Sequence, residues 1–515
     1  MATESVAAFG VPPASGAPAS GRVEDKGLKK DAIGYLSNIV IGVASTAPAY
    51  SLAATLGVIV AINGIGGHAP AVLLVSFVPM LLIAGAYRAL NRADPAAGTT
   101  FAWTTRALGP GMGWVNGWAI FLSDVIVMAS LAEIAGRYTF LLFNWTSAAN
   151  SQVGVMIAAV VWIALMTWIC YRGIELSART QQFLLGAEIV ILTVFAVVAF
   201  AKIYGGHPAG AIKPQLSWFN PFQLGVTPLM TGVLLGVFIY WGWDSGVTVN
   251  EESEDSNEGP GRAAVMSTIL LVLIYVVVAT AGQAFHGTAF LAENEGDVLS
   301  ALGKPVLGSG LEKLLIIAVL TSASASTQTT ILPTARTTLS MAFWKAIPKV
   351  FGTVHKRYLT PTVSTLGMGA VSIAFTVPLL LVSEHVLTDS LTAIGFPICF
   401  YYGFTGIACV VYYRHELTRS LRDFVLLGLA PLIGGLMLFG VAGYAAVYYS
   451  ESAHVETKPI LGITLPIWMG IGGMVLGVVL MLAARLHFRE YFSRKLETVR
   501  PGLFEEPVEH APPHF

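Results

Sequence analysis

Phe238-Ile239-Tyr240-Trp241-Gly242-Trp243-Asp244-Ser245-Gly246 lies in the middle of an otherwise apolar segment, and its reading decides the fold. An acid, two glycines and a cluster of large aromatics stand where a membrane-crossing helix is expected to be uniformly apolar. A carboxylate at bilayer depth costs roughly 2.5–3.5 kcal/mol on insertion scales, so Asp244 is a functional-site candidate at once.

Around this stretch the composition is that of a membrane protein. Hydrophobic residues make up 55% of the 515-residue chain and charged residues 11%, against about 25% charged in a soluble domain. Mean hydropathy is +0.70. Apolar runs long enough to cross a bilayer recur along the whole length. They predict twelve spans near residues 33–62, 69–91, 114–143, 153–172, 181–204, 227–250, 263–290, 311–342, 360–382, 388–413, 423–449 and 463–487. The chain reads as an all-α polytopic membrane protein whose short loops leave no room for an extramembrane catalytic domain. Cys170, Cys399 and Cys409 all fall inside apolar runs, which suits packing and not a disulfide framework or a metal site.

Residues 1–31, rich in Ala, Pro, Gly and Ser, read as a disordered basic tail, and 491–515 as a second tail. With the N-terminus inside, Arg22, Lys26, Arg88, Arg106, Arg179, Arg262, Arg336, Lys349, Arg419, Arg500 and their neighbours bring 23 of the 29 Lys and Arg to the inner face. The positive-inside rule therefore predicts that both termini are cytoplasmic.

A second interruption matches the first. Span one breaks at Gly42-Val43-Ala44-Ser45-Thr46-Ala47-Pro48, because proline removes a backbone donor and clashes with the preceding turn. The two breaks are five spans apart. Matching interrupted helices in two halves point to a transporter with inverted repeats and a site at the bilayer midplane. N–H groups freed at such a break favour a carboxylate, and freed carbonyls favour an ammonium group or a metal cation. Both ends together suit a zwitterion such as an α-amino acid.

The remaining motifs carry a family resemblance. Ala97-Gly98-Thr99-Thr100-Phe101-Ala102-Trp103 with Arg106-Ala107-Leu108-Gly109-Pro110, Gly113-Trp114 and Gly117-Trp118 resembles a signature of the amino acid–polyamine–organocation transporter superfamily. Span six followed by Asn250-Glu251-Glu252, Pro260 and Arg262, span eight from Thr321 to Arg336, and Tyr171-Arg172-Gly173 with Leu176-Ser177-Ala178-Arg179 are similar to that family's patterns. The resemblance covers about residues 33–415. It implies a 5+5 inverted repeat with broken helices 1 and 6, at 32–222 and 223–415, followed by two further spans at 416–490. It implies a multi-pass protein of the bacterial inner (cell) membrane that needs no cofactor and no metal.

The same resemblance implies that a substrate carboxylate meets Ala44, Ser45, Thr46 and Ala47. The amino group would meet carbonyls of Phe238, Ile239 and Trp241, with Tyr240, Trp241 or Trp243 closing over it. The chain departs from the family in carrying Ser45-Thr46-Ala47-Pro48 where a Gly-x-Gly turn is usual. It also carries Glu188 where sodium-independent relatives place a lysine. A buried carboxyl there either carries a proton or helps Ser322, Ser326 and Thr327 hold a cation. Buried acids in membranes mark proton relays, which favours the proton.

Other readings stand beside these. Asp244 either caps the second half of span six or contacts substrate, and Asp124 in span three either packs or meets a cationic group. Glu133 and Arg137, one helical turn apart, read as an ion pair. The run Glu251, Glu252, Glu254, Asp255, Glu258 reads as a solvated loop able to latch onto basic loops. Gly109-x3-Gly113-x3-Gly117 and Gly473-x3-Gly477 read as close-approach surfaces.

These features predict a secondary active amino acid transporter coupled to H+ or Na+, with a proton favoured. The alternatives are an amine, polyamine or cation permease, an amino acid exchanger of the same fold, and a non-transporting membrane sensor. No GxxxxGK[ST] motif appears to bind ATP, no HExxH or nucleophile–base cluster suggests an enzyme, and nothing suggests a nucleic-acid partner.

Overall fold

A computed structural model describes residues 26–495 apart from 207, 384 and 456. Most of the expected N-terminal tail, with Arg22, and residues 496–515, with Arg500, lie outside the described residues. The described residues form an all-helical bundle with twelve helices long and apolar enough to cross a membrane. Only helices satisfy every backbone polar group within one segment in lipid, which is why no other architecture serves these runs.

The spans run Tyr35–Ala61, Gly66–Ala93, Pro110–Leu142, Gln152–Tyr171, Ile174–Gly205, Val226–Thr248, Gly259–Glu293, Lys313–Phe343, Thr362–Val382, Val386–Tyr412, Leu421–Tyr448 and Leu465–His487. Several are longer than the apolar runs alone suggest. Span five begins at Ile174 because Gly173, at φ 129°, turns the chain and lets Glu175 and Arg179 extend the helix beyond its apolar part. Two helices fall where loops were expected. Thr100–Leu108 follows span two and Val298–Leu307 follows span seven.

Burial sorts the bundle into an inner set and an outer set. The apolar windows of spans one and three are 89% buried, while that of span twelve is 22% buried. Spans six, eight and ten are also mostly enclosed, so polar side chains on these five can face one another instead of lipid. Span twelve docks on span three where Gly473 and Gly477 face Leu122 and Trp118. The Trp118 indole donates to the Gly473 carbonyl at 2.9 Å, so one of the small-residue stripes does permit close approach.

The residues just before span one are not a free tail. Lys26 is buried and pairs with Glu251, and Ala32 N–H donates to the Glu252 carbonyl at 2.8 Å. Ala97 N–H also donates to the Glu251 carboxylate at 2.8 Å. The acidic run is therefore not wholly solvated. Glu252 is fully buried and grips Arg336 of span eight through two bonds of 2.9 and 3.0 Å. Burial pushes the Glu252 carboxyl above the usual carboxylate range, and the Arg336 guanidinium pulls it back down. These pairs close the bundle at the end where span one begins.

Candidate functional site

The break in span one is a pair of irregular residues. The first half ends at Ser45, Ala47 takes a left-handed conformation at φ 48° and ψ 67°, and Pro48 opens the second half, Pro48–Ala61. A non-glycine residue in that region costs about 1–3 kcal/mol, which the surroundings must offset.

Every donor at the start of the second half has a use. Pro48 has none to give. Ala49 N–H donates to Glu188 Oε1 at 2.7 Å, Tyr50 N–H to Ser322 Oγ at 3.2 Å, and Ser51 N–H to the Ala47 carbonyl at 2.8 Å. The Ser322 hydroxyl donates in turn to Glu188 Oε1 at 2.9 Å. Glu188 thus sits at the positive end of a half-helix. Its other oxygen, Oε2, is buried without a hydrogen-bond partner among the described residues.

The carbonyls on the opposite side of the break are also engaged. Ser326 Oγ donates to the Ser45 carbonyl at 2.8 Å, and Ser51 Oγ to that of Thr46 at 2.7 Å. Ala44 accepts from Ala47 N–H at 3.1 Å. Thr327, expected beside Glu188, returns its hydroxyl to the Ala323 carbonyl of its own helix at 2.8 Å. Back-bonding of this kind satisfies a hydroxyl in an apolar helix.

Span six unwinds between Tyr240 and Ser245. Trp241 is extended, Gly242 has φ 117°, and a single turn, Ser245–Thr248, follows. A Cβ at Gly242 would sit 2.9 Å from the Ser45 backbone, so glycine is what lets the two breaks touch. Ser45 and Ser245 share a hydroxyl–hydroxyl bond of 2.8 Å. The Tyr275 hydroxyl donates to the Ile239 carbonyl at 2.6 Å and lies 3.4 Å from that of Thr46, spanning both breaks.

Asp244 does not act as the cap that one reading expects. Although it precedes the short turn, its side chain makes no capping bond. Instead its carboxylate accepts from Tyr402 at 2.7 Å, Tyr401 at 3.2 Å and Tyr87 at 3.5 Å. The rings form a wall: Trp243 stacks on Tyr402 with centroids 5.2 Å apart and meets Tyr87 edge-on at 4.9 Å. The Trp241 indole donates to the Tyr401 hydroxyl. Phe238 meets Tyr50 edge-on, and Tyr240 meets Tyr275.

Asp124 is buried in span three, where Thr334 of span eight donates to its Oδ2 at 2.6 Å. The Glu133–Arg137 ion pair does not form among the described residues. Glu133 Oε2 is buried with no partner, while Arg137 is exposed. Among the described residues no three His, Cys, Asp or Glu side chains converge as metal ligands.

Ala44, Ser45, Thr46, Ala47, Phe238, Ile239, Trp241, Trp243, Asp244, Glu188, Ser322 and Ser326 therefore gather around the joined breaks. Thr327 and Asp124 have other immediate partners. Sequence reasoning missed Tyr87, Tyr275, Tyr401 and Tyr402. Tyrosines belong at membrane interfaces, so Tyr275, Tyr401 and Tyr402, well inside apolar runs, were a signal that their hydroxyls have buried partners, whereas Tyr87, beside Arg88, gave none.

Comparison with known proteins agrees with this architecture. Residues 33–474 match the amino acid permease family. The low-affinity putrescine importer PlaP of Escherichia coli strain K12 is 22% identical over 445 residues, 86% of this chain and 92% of that one. The Asc-type amino acid transporter 1 of Homo sapiens is 23% identical over 391 residues, 73% and 72% of the two chains. The methylthioribose transporter of Bacillus subtilis strain 168 is 24% identical over 327 residues, 59% and 67%.

Proposed function

The chain belongs to the amino acid permease family, and from that premise we propose that it is a secondary active transporter carrying an α-amino acid across the cell membrane, driven by protons. The observation that carries this reading is the junction of the two interrupted spans. Ser45 and Ser245 bond there, Tyr275 spans both breaks, and backbone donors and acceptors of opposite character come together.

On this reading the two interrupted halves belong to inverted repeats at 32–222 and 223–415, and both termini face the cytoplasm, as the Lys and Arg distribution favours. The end closed by Arg336–Glu252 and Lys26–Glu251 is then the inner gate. Substrate from outside binds at the breaks, the gate ion pairs separate, and substrate leaves inward.

Glu188 gives the coupling a physical form. While ionised it holds Ala49 N–H and Ser322, a position also suited to a substrate carboxylate. A proton on Oε2, which has no partner, removes the charge and lets Ala49 N–H turn to the substrate. Substrate and proton then arrive together. The sodium alternative would place a cation between Glu188, Ser322 and Ser326.

A specific observation favours a second reading, an amine or polyamine substrate. Asp244 is buried among three tyrosine hydroxyls, and Asp124 against a threonine. Hydroxyls do not neutralise a carboxylate, so either acid suits an ammonium group. The putrescine importer among the relatives supports keeping this reading.

Uptake of labelled amino acids and putrescine into proteoliposomes, with and without imposed proton or sodium gradients, tests the proposal. Accumulation of an amino acid stimulated by inward-acid pH is expected. Stimulation by neither gradient would reduce the protein to an exchanger, and neither uptake nor exchange would leave the sensor reading.

A further inference from the structure

A further carboxylate is buried away from the joined breaks. Asp389, in the first turn of span ten, is 2% exposed. Its partners among the described residues are the hydroxyls of Ser383, at 2.7 Å, and Thr457. By contrast, Glu251 and Glu252 each meet a base at close range. An ionised carboxylate kept out of water calls for a compensating cation.

Asp389 lines a cavity of about 180 Å³. That is room for roughly a dozen waters, or for one small organic ion. Val58 from the second half of span one and Thr231 from the first half of span six line it. So do Tyr448 and His454, whose rings are stacked parallel with centroids 3.8 Å apart. The His454 ring is fixed by a 2.8 Å bond between Nδ1 and the Tyr448 carbonyl, which holds the loop after span eleven against the cavity. No Lys or Arg is among the lining residues. A buried carboxylate facing a cavity that no Lys or Arg enters is the chemistry that attracts an ammonium group.

The cavity's position gives it a role. It touches both half-helices that lead to the joined breaks. Asp389 precedes Tyr401, one of the tyrosines on Asp244, by twelve residues of the same helix, or about 18 Å. Span ten thus carries one buried carboxylate itself and, through Tyr401, touches a second, Asp244 of span six.

We propose that this cavity is a second binding site, for small organic ammonium ions, with Asp389 as its charged anchor. It precedes the site at the breaks on the way in. Only that direction rests on the transport reading above; the site does not.

Methanethiosulfonate labelling tests it on the full-length chain in liposomes, with Cys170, Cys399 and Cys409 replaced by alanine and Thr388→Cys on the cavity wall. The trimethylammonium reagent is expected to react about tenfold faster than the sulfonate reagent, beyond their ratio on a free thiol, as for a screened charge attraction at short range. Asp389→Asn returns the ratio to the free-thiol value and Asp389→Glu preserves it. Millimolar tetramethylammonium slows labelling when Asp389 is intact. A ratio unchanged by Asp389→Asn, no protection by tetramethylammonium, or a thiol unreactive to both reagents would overturn the site. Absence of any uptake or exchange in proteoliposomes would overturn the transport reading and leave the labelling ratio standing.

Discussion

Glu188 Oε1 lies 2.7 Å from the backbone nitrogen of Ala49, so a carboxylate on span five caps the second half of span one, which begins at Pro48. The protein supplies a carboxyl oxygen of its own at the place where the freed N–H groups of a broken helix would otherwise attract an anion from solution. The same carboxylate binds Ser322, so three spans meet at one oxygen.

Glu188→Gln keeps an acceptor for Ala49 N–H and removes the titration. Gradient-driven accumulation in proteoliposomes is expected to fall more than tenfold while counterflow exchange persists. Full accumulation in the variant would take Glu188 out of the coupling.

Gly242→Ala places a Cβ 2.9 Å from the Ser45 backbone at a residue whose φ is 117°. Strain and overlap together cost about 1–3 kcal/mol and push the breaks apart. The expected result is a membrane-inserted protein with a lower melting temperature in detergent and uptake reduced at least tenfold. Wild-type uptake would show that the close approach is dispensable.

Arg336 and Glu252 are both fully buried. Removing one partner strands the other, so Arg336→Ala is expected to destabilise by about 3–5 kcal/mol. Replacing both, as Arg336→Met with Glu252→Gln, should recover most of that loss. Thermal unfolding of the two singles and the double gives the coupling, and additive losses would contradict it.

Tyr402→Phe deletes the 2.7 Å donor to Asp244 and keeps the ring stacked on Trp243. A hydrogen bond to a charged group contributes about 1.5–3 kcal/mol. If Asp244 meets the substrate's ammonium group, KM should rise about tenfold in Tyr402→Phe and further in Asp244→Asn, with the larger effect on putrescine. Equal KM values across the three proteins would confine Asp244 to holding spans two, six and ten together.

Much of the site was legible from residue types. Pro48 and the Trp241–Gly246 stretch announced both breaks, since neither can continue a helix without losing a bond, and Glu188 stood out as an acid in an apolar run. The misreadings concern partners from elsewhere in the chain. Glu133 was paired with Arg137 by spacing along one helix, and Glu251 and Glu252 were read as solvated from the acidic composition of their loop, whereas the partners of buried groups are decided by which neighbours pack against them. Residues 26–31 read as a tail because their composition is polar, yet Lys26 finds Glu251 across 225 positions of sequence.

The sequence by itself determined the membrane class, the twelve spans and the two interruptions, because hydrophobic length and backbone chemistry are local properties. Only the tertiary structure decided that Tyr87, Tyr401 and Tyr402 converge on Asp244, that Tyr275 spans both breaks, and that Glu188 caps the second half of span one. Buried polar groups must find partners wherever packing puts them, and in these cases the partners come from different helices. Such pairing depends on the docking of whole helices, which no stretch of the chain encodes alone.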